Sequence, residues 1–185
     1  GCFGMHEWAM VYKSKEIRHN QIPLRMASRD LEEFVESRPL VCTHFDAFRF
    51  FTEKARPLNT VQPQADDRHE CEQPGCLHAN MDLYRWATKF HPWIGSDLVA
   101  DCFEMAVKAR TLDMAASAYD VAGIGLAPIC IETAEGKREY VQQQKALFEQ
   151  GQLLRRRLIA YMQALEAWLT SSNLTANADG SLHQC

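Results

Sequence analysis

The apolar positions of this chain change period several times, and those changes divide it into elements. Residues 3–12 are almost continuously apolar, interrupted only by Gly4 and by His6-Glu7, which predicts a buried helix or strand. Ile22-Pro23-Leu24-Arg25-Met26 is extended in character, because Pro23 biases its predecessor away from helix. Ser28 reads as an N-cap, with Asp30, Glu32 and Glu33 in a first turn where the helix dipole favours anions, and Pro39 stops that helix near Ser37. Residues 40–45 carry the β-branched and aromatic character of a strand. From Arg56 to Gly75 the chain is polar, holds Pro57, Pro63 and Pro74 and has no usable period, so a long loop is expected, of a kind that is often functional.

The second half is more regular. A helix is expected from His78 to Phe90, broken by Pro92, and another from Asp97, capped by Ser96, to about Met114. Its apolar face is Leu98, Cys102, Met105, Ala106, Ala109 and Leu112. Residues 127–131 read as a second short strand. Thr133 and Glu135 open a long amphipathic segment to about Ser171, with Gly151 as a possible break. The sum is an α+β fold, mostly α-helical with a few short strands, in one globular domain over residues 1–172, followed by a disordered polar tail at 173–185.

Composition narrows the function classes. With 185 residues, 46% hydrophobic and 24% charged, the chain has the balance of a globular domain with a real core. A net charge of −4 offers no overall attraction to phosphate, and the one dense basic run, Arg155-Arg156-Arg157, fans around a helix as a solvated face would. No apolar run approaches the roughly 18 residues of a membrane span, and no signal peptide is visible. The seven cysteines are odd in number and dispersed, as expected of free thiols in a reducing cytoplasm. The chain begins inside an apolar segment with no polar lead-in, which suggests an N-terminally truncated fragment.

Candidate chemistry concentrates in a doubled pattern, Cys42-Thr43-His44 followed by Asp46 and Arg49, and Cys76-Leu77-His78 followed by Asn80 and Asp82. Cys42, His44, Cys76 and His78 have the donor chemistry of a zinc centre, but Cys-x-His is tighter than the usual ligand knuckle, and both thiols also fit as small buried hydrophobes. His78 and Asp82 stand i,i+4 on a helix, the spacing at which a carboxylate can orient an imidazole. Asp46 and Arg49 sit among Phe45, Phe48, Phe50 and Phe51, either as an ion pair beside an aromatic core or as a general acid or base with its partner. His6-Glu7 must be satisfied by polar groups or by a ligand, because burying unpartnered charge costs several kcal/mol. Asp101 and Glu104 read as solvated, and Asp113 and Asp120 as caps or turns. There is no phosphate-cradling Gly-rich loop, no G-x-S-x-G and no H-E-x-x-H.

The segments G-C-F-G-M-H-E-W-A-M-V-Y, C-T-H-F-D-A-F-R-F-F, E-Q-P-G-C-L-H-A-N-M-D-L-Y, L-D-M-A-A-S-A-Y-D and I-E-T-A-E-G-K-R-E-Y-V, in this order, resemble a bacterial family common in actinobacteria and labelled 3-methyladenine DNA glycosylase. The resemblance covers residues 1 to about 160, and that family carries a further N-terminal segment. Its motifs match at His6, Glu7, His44, Asp46, Arg49, His78, Asn80, Asp82, Asp101, Glu104, Asp113 and Asp120. It implies a hydrolase of N-glycosidic bonds in DNA repair, with DNA as partner, Trp8, Tyr84 and Trp86 stacking on a flipped base, and Asp46 or Asp82 as the carboxylate. The residues alone leave three readings: such an enzyme with a site at His6, Glu7, His44, Asp46, Arg49, His78 and Asp82; a metal-dependent enzyme acting on a small molecule, the metal unspecified; or a non-enzymatic helical interaction protein.

Overall fold

The computed structural model describes residues 2–179, with side chains through residue 171. It is built on helices: α1 (Met5–Ala9), α2 (Ser28–Glu36), α3 (Phe45–Phe48), α4 (Arg68–Cys71), α5 (Leu77–Phe90), α6 (Ser96–Ala115) and α7 (Ala134–Asp179). Short 3-10 turns lie at Arg56–Leu58 and Val121–Ile124. The expected tail at 173–185 lies outside the described side chains. Among the described residues no helix is long and apolar enough to cross a membrane.

The expected α+β class is corrected to an all-α fold, because the described residues form no sheet. The segment at 40–45 makes one isolated bridge, Leu40 to Asn59. The reason is visible at Cys42, whose N–H donates to Asn59 Oδ1 at 2.7 Å and whose carbonyl accepts from Asn59 Nδ2 at 2.8 Å. A single buried carboxamide replaces the neighbouring strand, so the β-like composition yields an extended segment and nothing wider. At 127–131 the backbone is again extended, and Ile129 N–H donates to the carbonyl of Ala115, at the end of α6, at 2.7 Å.

α5, α6 and α7 pack against one another and make the frame. Leu83, Ala87, Leu98, Cys102 and Leu158 fill one small core between them. The larger core lies where α1, α2 and the extended segments cover the other end of α6, around Trp8, Leu31, Val35, Leu40, Leu112 and Tyr140. Trp8 is fully buried, donates its indole N–H to Ala116 O at 2.9 Å and packs on Phe34. Aromatic residues so placed lose about 3–5 kcal/mol when cut to Ala.

Two glycines set close approaches that matter for the site. Gly4, at φ 80° in the left-handed region, starts α1 where a methyl group would touch Ala116, Ile131 and Tyr140 at 3.4 Å, so the helix enters the core directly. Gly151 does not break α7, which runs through it. A methyl group there would collide with the carboxamide oxygen of Asn80, so glycine lets α7 lie against α5 beside His78.

Candidate functional site

α1 is short, and all five of its residues are buried, including the two that carry charge. His6 Nε2 donates to Asp113 Oδ1 of α6 at 2.6 Å. Arg110, one turn before Asp113, donates through Nη1 to Asp113 Oδ2 at 2.6 Å and to Glu7 Oε1 at 2.8 Å. Asp113 is thus fully buried between an imidazole and a guanidinium. Burial alone would raise its affinity for a proton; the His6 charge and hydrogen bond, with Arg110, hold it well below the usual carboxylate range. Burial likewise disfavours charge on His6, but Asp113 overrides that and holds the imidazolium up to about 9.

The first turn of α5 delivers His78 to this pair. Its ring meets His6 edge-on, with centroids 4.6 Å apart, and tilts against His44 at 5.3 Å. Burial, and then the charge on His6, push His78 down to about 3, so it is a neutral imidazole. His44 precedes α3 and is 1% exposed. Its Nε2 faces Asp82 Oδ2 at 3.1 Å, one turn along α5 from His78, and Glu72 Oε1 at 3.4 Å, just after α4. Burial raises the affinity of Glu72 for a proton, and His44 opposes that.

Six side chains therefore form one unbroken line, Asp113, His6, His78, His44, then Asp82 and Glu72. Two sets within it, His6/His78/Asp113 and His44/Glu72/Asp82, each bring one donor atom per residue within 4.8 Å of one another. Both have the imidazole and carboxylate chemistry of a transition-metal site. The Nδ1 atoms of His44 and His78 and Oε1 of Glu72 are buried without a hydrogen-bond partner in the protein. Unsatisfied buried donors and acceptors are rare, and clusters of them mark a place where another group belongs.

Thiols stand close to the histidines. Cys2 Sγ lies 3.2 Å from His6 Nδ1. The hydrogen bond offered by Cys2 lowers Cys42 to about 6 against the opposing effect of burial, with His6 as a further cationic influence, whereas burial pushes Cys76 up to about 12. All three cysteines, with His6 and His78, line a cavity of about 630 Å³ whose outer wall is Tyr140, Val141 and Phe148 of α7. That size is typical of small-molecule sites. A smaller cavity of about 230 Å³ lies against Glu7, His78 and Arg110. His78 lines both.

Of the residues singled out in the sequence, His6, His44, His78 and Asp82 converge, and Glu7 joins them through Arg110. Asp46 and Arg49 sit apart from the line. The Asp46 carboxylate is met by Arg49 at 3.4 Å and by Arg68 and Arg85 at 3.3 Å. Burial raises its affinity for a proton, but Arg68, with Arg49 and then His44, overcomes that and lowers it. Arg85 also approaches Asp82 at 3.8 Å, so Asp46 belongs to the charged rim. The zinc set of Cys42, His44, Cys76 and His78 is not among the groups of converging donors found in the described residues.

Arg110 and Glu72 were missed as site residues, and Asp113, although among the positions matched by the resemblance, was read from the residues as a cap or turn. Asp113 carried a signal, being a carboxylate on the apolar stripe that runs through Cys102, Met105 and Ala109 of α6. Glu72 lies near the end of the long polar segment where function was expected. The chain matches no protein-family model, no curated protein and no solved structure.

Proposed function

We propose that this protein is a metal-dependent enzyme acting on a small molecule, with His6, His78 and Asp113 as an inner cation site and His44, Glu72 and Asp82 as an outer one. The observation that carries this reading is the contiguous line of three imidazoles and three carboxylates with unpartnered buried nitrogen on His44 and His78. Three imidazoles in ring contact are hard to justify as packing, since the charge on His6 disfavours charge on the buried ring of His78 beside it. As ligands they are apt: neutral His78 has a lone pair to give, and within each set the donor atoms lie close enough to share one ion. Mixed nitrogen and oxygen donors suit iron, manganese or zinc. An ion held here would supply Lewis acidity, or activate a bound water, at the floor of the 630 Å³ cavity.

The glycosylase reading needs Asp46 or Asp82 to act on water or on a sugar cation. Asp46 is engaged by three arginines and Asp82 by His44 and Arg85, which favours the metal reading for these side chains. Elemental analysis of protein grown with iron, manganese and zinc tests the proposal. One to two ions per chain are expected, falling by at least half in His78→Ala, with Tm rising when the stripped protein is reloaded. Protein that stays metal-free, with Tm indifferent to all three ions, overturns it and returns the cluster to a satisfied core.

A further inference from the structure

The cavity of about 230 Å³ on the far side of His78 differs in character from the larger one. Arg18, His19 and Arg110 contribute to its lining, with Phe50 and Tyr119 as aromatic walls. Two carboxylates also reach it, Glu7 and Asp46, and both are already bonded, Glu7 to Arg110 and Asp46 to Arg49, Arg68 and Arg85. Arg110 spends only Nη1 on Glu7 and Asp113; among the described residues its other N–H groups have no protein partner, and the side chain is 44% exposed. Arg18 forms no ion pair among the described residues, and its guanidinium carbon stands over the Phe50 ring, 4.6 Å from its centre.

The turn that carries Arg18 is fixed. His19 has φ 55°, a conformation a non-glycine side chain adopts at a cost of about 1 kcal/mol or more. Tyr119 holds it there by donating its hydroxyl to Arg18 O at 2.7 Å and meeting the His19 ring edge-on. Two guanidinium groups lining one cavity, with N–H groups that no protein group takes up among the described residues, suit the bidentate recognition of an oxyanion.

We propose that this second cavity binds the anionic end of the substrate, a phosphate or carboxylate group held by Arg18 and Arg110 beside His78. This rests on the metal-dependent reading for the rest of the substrate, since only then does His78 stand between the anion and a reacting centre. A cavity of about 230 Å³ takes the charged group with a few atoms beside it and falls below the size that encloses a drug-sized molecule, so the rest of a larger substrate lies elsewhere along the cluster.

The test is calorimetric titration with inorganic phosphate and, separately, succinate, on wild-type protein, Arg18→Gln and the surface control Arg29→Gln, with metal content measured on the same samples. Arg18→Gln should weaken binding of the preferred anion about tenfold or more, while Arg29→Gln leaves it unchanged and metal content stays at the wild-type level. Affinity for that anion should also fall as salt is raised. The arm that binds identifies phosphate or carboxylate as the group recognised. Absence of binding by either anion, or equal affinity in Arg18→Gln and wild type, overturns the proposal whatever the metal content. Arg18-dependent binding in protein that never takes up metal upholds the anion site and overturns the metal reading alone.

Discussion

Asp113→Asn removes the charge that organises the inner half of the site at nearly constant volume. In the metal-free protein the rise of His6 from 6.5 to about 9 corresponds to about 3 kcal/mol of preference for the charged ring, and His6 is only 3% exposed, so solvent does little to weaken it. That stabilisation is whole below pH 6.5 and is lost as pH rises through about 9. Asp113 titrates in the opposite sense: its folded proton affinity is depressed, so its contribution is present above about pH 4 and is lost as acid protonates the native carboxylate. Urea denaturation in chelator should therefore find the variant about 4 kcal/mol less stable at pH 6, where the His6 and Arg110 contributions are both lost, and only about 1 kcal/mol less stable above pH 9.5, where the pair with Arg110 is what remains. The His6 ring, followed by NMR, should titrate below 6.5 in the variant because burial is then unopposed. A gap that does not vary between pH 6 and 9.5, or a His6 ring that still titrates near 9, would refute the account of this pair.

Two further predictions concern the supports of the site. Asn59→Ala deprives the N–H and carbonyl of Cys42 of their partners and should cost about 2–4 kcal/mol in urea unfolding, with a further loss of metal because His44 is carried on the same segment; a cost under 1 kcal/mol would mean water replaces the carboxamide. Gly151→Ala should destabilise despite the gain of about 1 kcal/mol in helix propensity, because the added methyl meets Asn80; a rise in Tm would show that α5 and α7 separate easily there.

The three long helices were legible because their apolar stripes persist over several turns and Pro92 marks the break between two of them, although Ser96, read as a cap, is the first residue of α6 and Gly95 stands at the cap. The strands were misread because Val41, Thr43 and Phe45 describe a residue's own preference, whereas a sheet needs a neighbour, and here Asn59 takes the neighbour's place. His6, His44 and His78 stood out as polar residues in apolar surroundings. Asp113 did not, since its bond to His6 spans 107 residues and an acid near a helix end has a commonplace explanation as a cap. Glu72 lay in a segment without periodicity, where nothing local distinguishes one carboxylate from Asp66, Asp67 and Glu70.

Under the proposed metal reading, the shared bonds of Arg110 give the inner carboxylate a stand-in cation before any ion arrives. Here the imidazolium of His6 and the guanidinium of Arg110 balance Asp113 within the fold itself, so under that reading an ion bound by His6 and Asp113 would have to replace one proton on His6 and the hold of Arg110. Uptake would then proceed in alkaline rather than acidic solution, and ions too weakly held to displace that proton would be turned away at the first step.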